Sequence, residues 1–171
     1  MLILQKKDFE DADINKAIRD TATISRNVWK YVAELKLELD EELVPVKCSI
    51  DDLNQVFLNM VVNAADAIRE KEEKNKTAGN SSESSRGLIT IRTKRCERGV
   101  VIEFEDTGVG IPAAIVDRIY DPFFTTKDVG VGTGQGLAIS HTIVVAKHKG
   151  TIAVETKEGI GTKFIITIPV H

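Results

Sequence analysis

The stretch LNQVFLNMVVNAADAI, residues 53–68, decides how this chain is read. At 100° per residue, Asp52, Gln55, Asn59, Asn63, Asp66 and Glu70 fall within roughly 40° of a common direction. Almost everything else is apolar: Phe57, Leu58, Met60, Val61, Val62, Ala64, Ala65 and Ala67. A helix so hydrophobic around most of its circumference is expected to be largely buried, so the carboxamides on its polar stripe need partners or water. A solvated stripe is the plain alternative. Asparagine argues against it, being a poor helix former with no packing advantage. Asn63 offers a neutral oxygen suited to a hard cation such as Mg²⁺.

The second informative stretch is GVVIEFED followed by TGVGIP. Val100, Ile102 and Phe104 alternate with Val101, Glu103 and Glu105, the period of a strand with one apolar face. Asp106 shares the parity of the apolar set, so it points inward where the strand ends in a glycine turn. An inward carboxylate needs donors. An adenine amine is one, with Gly108 and Gly110 leaving room for a ring to approach. The N–H groups of the following turn are the other, common for D-x-G.

The third is DPFFTTKDVGVGTGQGLAIS, residues 121–140. Gly130, Gly132, Gly134 and Gly136 recur at every second position, which defeats regular structure until Gly136. Leu137 to Lys147 then reads as a helix with Gly150 just past its end. Flexible backbone leading into a helix N-terminus is an anion site. Thr125, Thr126, Lys127 and Thr133 add hydroxyls and a cation nearby. Neither a Walker loop nor G-x-G-x-x-G is present.

Taken in this order, the three segments resemble the catalytic ATP-binding domain of a sensor histidine kinase, of the Bergerat-fold group shared with gyrase, MutL and Hsp-type chaperones. Asn59 and Asn63 match its N box, Asp106, Gly108 and Gly110 its first glycine box, Phe123 and Phe124 its F box, Gly132, Gly134 and Gly136 its second glycine box, and Gly161 with Thr162 its closing pair. The likeness runs from about Ile14 to Pro169 and is greatest to kinases of the nitrogen-regulation sensor type, which carry the FFTTK lid. Gln135 departs from the leucine more usual between the glycines.

The resemblance implies a two-layer α/β (α+β) sandwich, a mixed sheet with helices on one face and the nucleotide between layers. It implies ATP and Mg²⁺ as ligands, with Asn63 on the metal and Asn59, Asn63 and Lys127 in catalytic roles. Nucleotide contacts are implied for Asn63, Asp66, Ala67, Asp106, Gly108, Gly110, Ile111, Phe124, Thr125, Thr126, Lys127, Gly132, Thr133, Gly134, Gln135, Gly136, Leu137 and Thr162. Related ATPases carry a glutamate at the position of Asn59, where it activates water. Asparagine cannot act as a base, which favours a kinase over a hydrolase. The partners implied are a histidine-bearing dimerisation domain of the same kinase and a downstream response regulator. A stand-alone anti-sigma-type serine kinase is the rival reading; a non-enzymatic module that has lost nucleotide binding is another.

His141, His148 and His171 are the only histidines, and none resembles a phosphoacceptor box. Residues 1–12 are therefore expected to be the tail of a dimerisation hairpin and linker, and 13–171 the catalytic domain. A net charge of −3 and pI near 5.7 argue against a nucleic-acid binder. No apolar run approaches a membrane span, and the start lacks the long apolar core and cleavage site of a signal peptide, so a cytoplasmic domain is expected. Cys48 and Cys96 read as free thiols.

The remaining chain predicts a short strand or turn into a helix over 14–26, an extended segment over 28–39, a short strand ending near Ser49, and a cap by Asp51 or Asp52. The polar stretch 71–87 predicts a mobile loop. Strands are expected near 88–95 and 100–106, then 151–156 and 162–168 as a hairpin.

Overall fold

A computed structural model describes residues 9–77, 79, 86–122, 124 and 136–170. Five strands form one mixed sheet in the order β2-β4-β5-β7-β6. These are β2 (Ala33–Glu38), β4 (Gly87–Cys96), β5 (Gly99–Asp106), β6 (Thr151–Lys157) and β7 (Gly161–Pro169). Strands β2 and β4 are parallel and the other neighbours antiparallel. A small antiparallel pair, β1 (Glu10–Ala12) with β3 (Val46–Cys48), stands apart from it.

The register shows why the sheet has one helical face. Ile91, Phe104, Phe164 and Val154 lie opposite one another across four strands, as do Thr93, Ile102, Ile166 and Ile152. Residues directly opposite share a face, and this face is buried. Its reverse carries Glu38, Arg92, Glu103 and Glu105, with Arg92 paired to all three carboxylates. Helix α3 (Ile50–Thr77) covers the apolar face, burying Leu53, Val56, Phe57, Met60, Val61, Ala64, Ala65 and Ile68. The rings of Phe57 and Phe104 stand 5.9 Å apart and join it to β5. Burial of each of the larger side chains among these stabilises by about 1.5–3 kcal/mol. Helix α1 (Ile14–Ile24), capped by the Asp13 side chain on the N–H of Lys16, packs beside α3 through Ile14, Ala17 and Ile18.

Several local expectations change. Residues Arg26–Trp29 form a one-turn helix, α2, so the extended segment begins only at Ala33. Helix α3 runs on to Thr77, through much of the stretch read as a loop. Its polar end is helical because Glu70 and Lys74 pair one turn apart and Thr77 bonds back to the carbonyl of Glu73. Asp51 and Asp52 sit inside the first turn of α3, not at its cap; Asp52 instead accepts from the Ser49 hydroxyl and pairs with Lys147. The helix after the lid is α-helical only over α4 (Gly136–His141), and Thr142–Lys147 widens into π-helical turns. Lys149, not Gly150, takes the left-handed conformation past its end. The strand β1 packs against β3 and the Phe9 ring stacks on His148 at 4.8 Å, while residues 1–8 lie outside those described.

Candidate functional site

Asp106 ends β5 on the buried face, 6% exposed, as its parity predicts. Its Oδ1 accepts the Gly108 N–H at 2.8 Å. Burial pushes its carboxyl from 3.8 up to about 6, although the backbone donors of Gly108 and Thr162 act the other way. An acid poised so near neutrality, with burial as the dominant cause, marks a place where charge waits for a partner.

The loop after Asp106 lies directly on α3. The Val109 N–H donates to the Ala67 carbonyl at 3.0 Å, and a Cβ at Gly108 would stand 2.5 Å from the Ala67 Cβ. Lys71 reaches the Thr107 carbonyl at 3.2 Å. Gly110 has φ +75°, and a Cβ there would run into the Lys157 carbonyl. Both glycines are thus demanded by the protein's own close packing, a tighter constraint than room for a ligand ring. The Ile111 N–H donates to Thr156 Oγ1 at 2.9 Å, and that hydroxyl stands 2.8 Å from Thr162 Oγ1. Thr162 lies opposite Asp106 in the β5–β7 register. The loop, the β6–β7 hairpin and α3 therefore converge on one carboxylate.

The polar stripe of α3 faces the same region. The Asn63 amide nitrogen is buried without a hydrogen-bond partner among the described residues. An unsatisfied buried polar atom costs about 1–3 kcal/mol. Such an orphan fits an incoming phosphate oxygen, and rotation of the carboxamide presents its oxygen to a cation instead. A buried donor without a described partner fits the phosphates of ATP. Asn59 Nδ2 donates to the Gly136 carbonyl and to Ser140 Oγ, each at 3.2 Å, which fastens α3 to α4. Asp66 pairs with Arg69 at 3.0 Å, and Leu137 is half-buried against the core. Phe124 lies against the Arg118 guanidinium, 4.6 Å from the ring centroid. Thr125, Thr126, Lys127, Gly132, Thr133, Gly134 and Gln135 lie outside the described residues, as does Phe123.

Sequence reasoning passed over Thr156, Lys71 and Ser140. Thr156 carried a signal, since hairpin pairing through KEGIG sets it opposite Thr162. Ser140 is fully buried and its role depends on tertiary contact with Asn59. His148 is buried, 2% exposed. Its Nε2 accepts the Ser49 N–H at 3.0 Å while Nδ1 faces the Ile143 carbonyl at 2.9 Å. That pattern needs the neutral ring with its proton on Nδ1, and burial lowers its pKa accordingly.

A family model described as the histidine kinase-, DNA gyrase B-, and HSP90-like ATPase matches residues 48–171. The chain belongs to this family. It is 38% identical over 165 residues to the signal transduction histidine-protein kinase AtoS of Escherichia coli, covering 95% of this chain and 24% of that protein. Over 160 residues it is 34% identical to the sensor kinase CckA of Brucella abortus, covering 94% of this chain and 17% of that one. The chain thus spans about a quarter or less of these curated relatives. A nucleotide-free catalytic domain of the histidine kinase ThkA superposes with a TM-score of 0.76 at 28% identity, covering 95% of each chain. ThkA in complex with the response regulator TrrA matches with a TM-score of 0.71 at 26% identity, over 95% of this chain and 42% of that one. The domain is an ATP-binding catalytic domain of the sensor histidine kinase type, on the mixed-sheet fold that its motifs imply. No helix among the described residues is long and apolar enough to cross a membrane.

Proposed function

We propose that this domain binds ATP with Mg²⁺ and hands the γ-phosphate to a histidine on a separate dimerisation domain, from which a response regulator then takes it. Asp106 accepts a hydrogen bond from the adenine amine, and the stripe from Asn59 to Asp66 faces the phosphates. Asn63 holds the cation, whose chemistry is to neutralise phosphate charge. Lys127 and the glycine-rich segment complete the phosphate surroundings. The reaction is cytoplasmic, and residues before β1 act as the linker to the dimerisation domain.

The observation that carries this reading is Asn59. It stands where a hydrolase of the family needs a base, and its amide nitrogen donates to Gly136 and Ser140. A carboxamide in that place cannot deprotonate water, so ATP is preserved for an external acceptor. The chain mixed with a histidine-bearing hairpin and labelled ATP should place acid-labile, base-stable phosphate on the hairpin, at a rate set by hairpin concentration. Acid-stable label, or label on this chain alone, overturns the proposal and favours the serine-kinase alternative.

A further inference from the structure

Away from Asp106, a groove of about 680 Å³ runs along the start of β2. Ala33, Glu34, Leu35 and Lys36 all line it. Alternate strand residues point to opposite faces of a sheet, so four consecutive residues can share one groove only if it follows the backbone edge. Beyond Ala33, which is fully buried with its carbonyl bonded by Arg86, that edge has no strand partner: β2 pairs with β4 on one side and with no described strand on the other. An open edge offers a row of backbone donors and acceptors to another chain.

The groove's walls specify the chemistry of such a chain. Trp29, Tyr31 and Leu88 supply apolar surface, with Tyr31 72% and Leu88 37% exposed. Arg26, Lys30 and Arg86 have no carboxylate partner among the described residues. Lys30 lies 4.9 Å from the Tyr31 ring centroid, and Arg86 donates to the carbonyls of Lys30 and Ala33. Lys36 is offset by Glu38 at 2.9 Å, and Glu34 is the one acid in the lining. This local positive excess stands on a chain of net charge −3. We infer that the β2 edge is a docking site for an extended acidic peptide segment of a partner protein, which adds as a sixth strand while its carboxylates meet Arg26, Lys30 and Arg86. Backbone pairing gives such a complex its affinity, and the charges and aromatic wall its selectivity.

Trp29 is the only tryptophan, so its emission reports on the groove directly. The probes are the blocked hexapeptides (Glu-Val)₃ and (Lys-Val)₃, and (Glu-Val)₃ with every second amide N-methylated. The acidic peptide should change Trp29 emission, shift amide resonances over 33–37, and bind at least tenfold more tightly than the basic one. N-methylation should abolish binding, and Arg26→Glu with Lys30→Glu should weaken it at least tenfold while leaving the thermal midpoint and nucleotide affinity unchanged. No binding at millimolar acidic peptide, equal binding of both charges, or retention by the methylated probe overturns the inference. Resonance shifts away from β2, or sedimentation showing that two copies pair through this edge, overturn it as well. None of these outcomes depends on phosphoryl transfer.

Discussion

Replacing Asp106 with asparagine should separate stability from nucleotide recognition. In the folded domain the carboxyl titrates at about 6, against an ordinary 3.8, because burial disfavours its charge. A folded-state pKa that is raised contributes stability fully present below the unfolded value and lost as pH rises through the folded one. The window is therefore pH 3.8 to about 6. Across all of it the ionised form penalises the fold by about 3 kcal/mol, and between pH 4.5 and 7.5 by about 2 kcal/mol. Asparagine does not titrate but keeps an oxygen for the Gly108 N–H. Any fixed loss from burying its amide hydrogens is the same at both pH values and cancels. Urea unfolding followed by Trp29 fluorescence should thus show the variant gaining about 2 kcal/mol on the wild type as pH rises from 4.5 to 7.5. The same variant should lose roughly ten- to hundredfold in ATP affinity at pH 7.5, the value of a charge-assisted hydrogen bond. A stability difference constant to within about 0.5 kcal/mol across that range would refute the buried-charge argument. A loss of ATP affinity below about threefold would leave Asp106 only its role in the turn.

Asn63→Ala should remove the Mg²⁺ dependence of nucleotide binding without lowering the unfolding midpoint, since its amide nitrogen has no described protein partner to lose; titrations with and without chelator check this. His148 gives a pH effect of opposite sign to Asp106. Burial lowers its pKa, so its contribution to stability is present above about 6.5 and is lost as pH falls. Acidification from pH 7.5 to 5.5 should weaken wild type more than His148→Gln, with Asp52 and Lys147, the charges beside the ring, kept in both. Equal slopes in urea unfolding at the two pH values would show that the ring stays neutral for another reason.

How much of this was legible depends on the range over which each residue's partners lie. Asp106 could be placed by strand parity alone, and the buried arc of α3 by helical spacing, because both are local periodicities. The far end of α3 was not, since Lys71 to Thr77 has a loop's composition and is held by pairs one turn apart and by packing of the helix before it. Ser49 and His148 are 99 residues apart, so their bond leaves no trace in either local pattern. The same is true of Asn59 with Ser140. At Gly108 the residue type was readable but its cause was not, because only the folded chain brings Ala67 against it.

The account's centre is a single adenine nucleotide pocket built around the Asp106 carboxylate, and the most direct test is calorimetry of the isolated chain with Mg²⁺ and either ATP or GTP at pH 7.5. The exocyclic amine of adenine donates to that carboxylate, whereas guanine sets a carbonyl oxygen against it, leaving a buried charge unpaired. ATP should bind at least tenfold more tightly than GTP, and its advantage should shrink in Asp106→Asn. Equal affinity for the two nucleotides, or no heat with ATP at millimolar concentration, would contradict it.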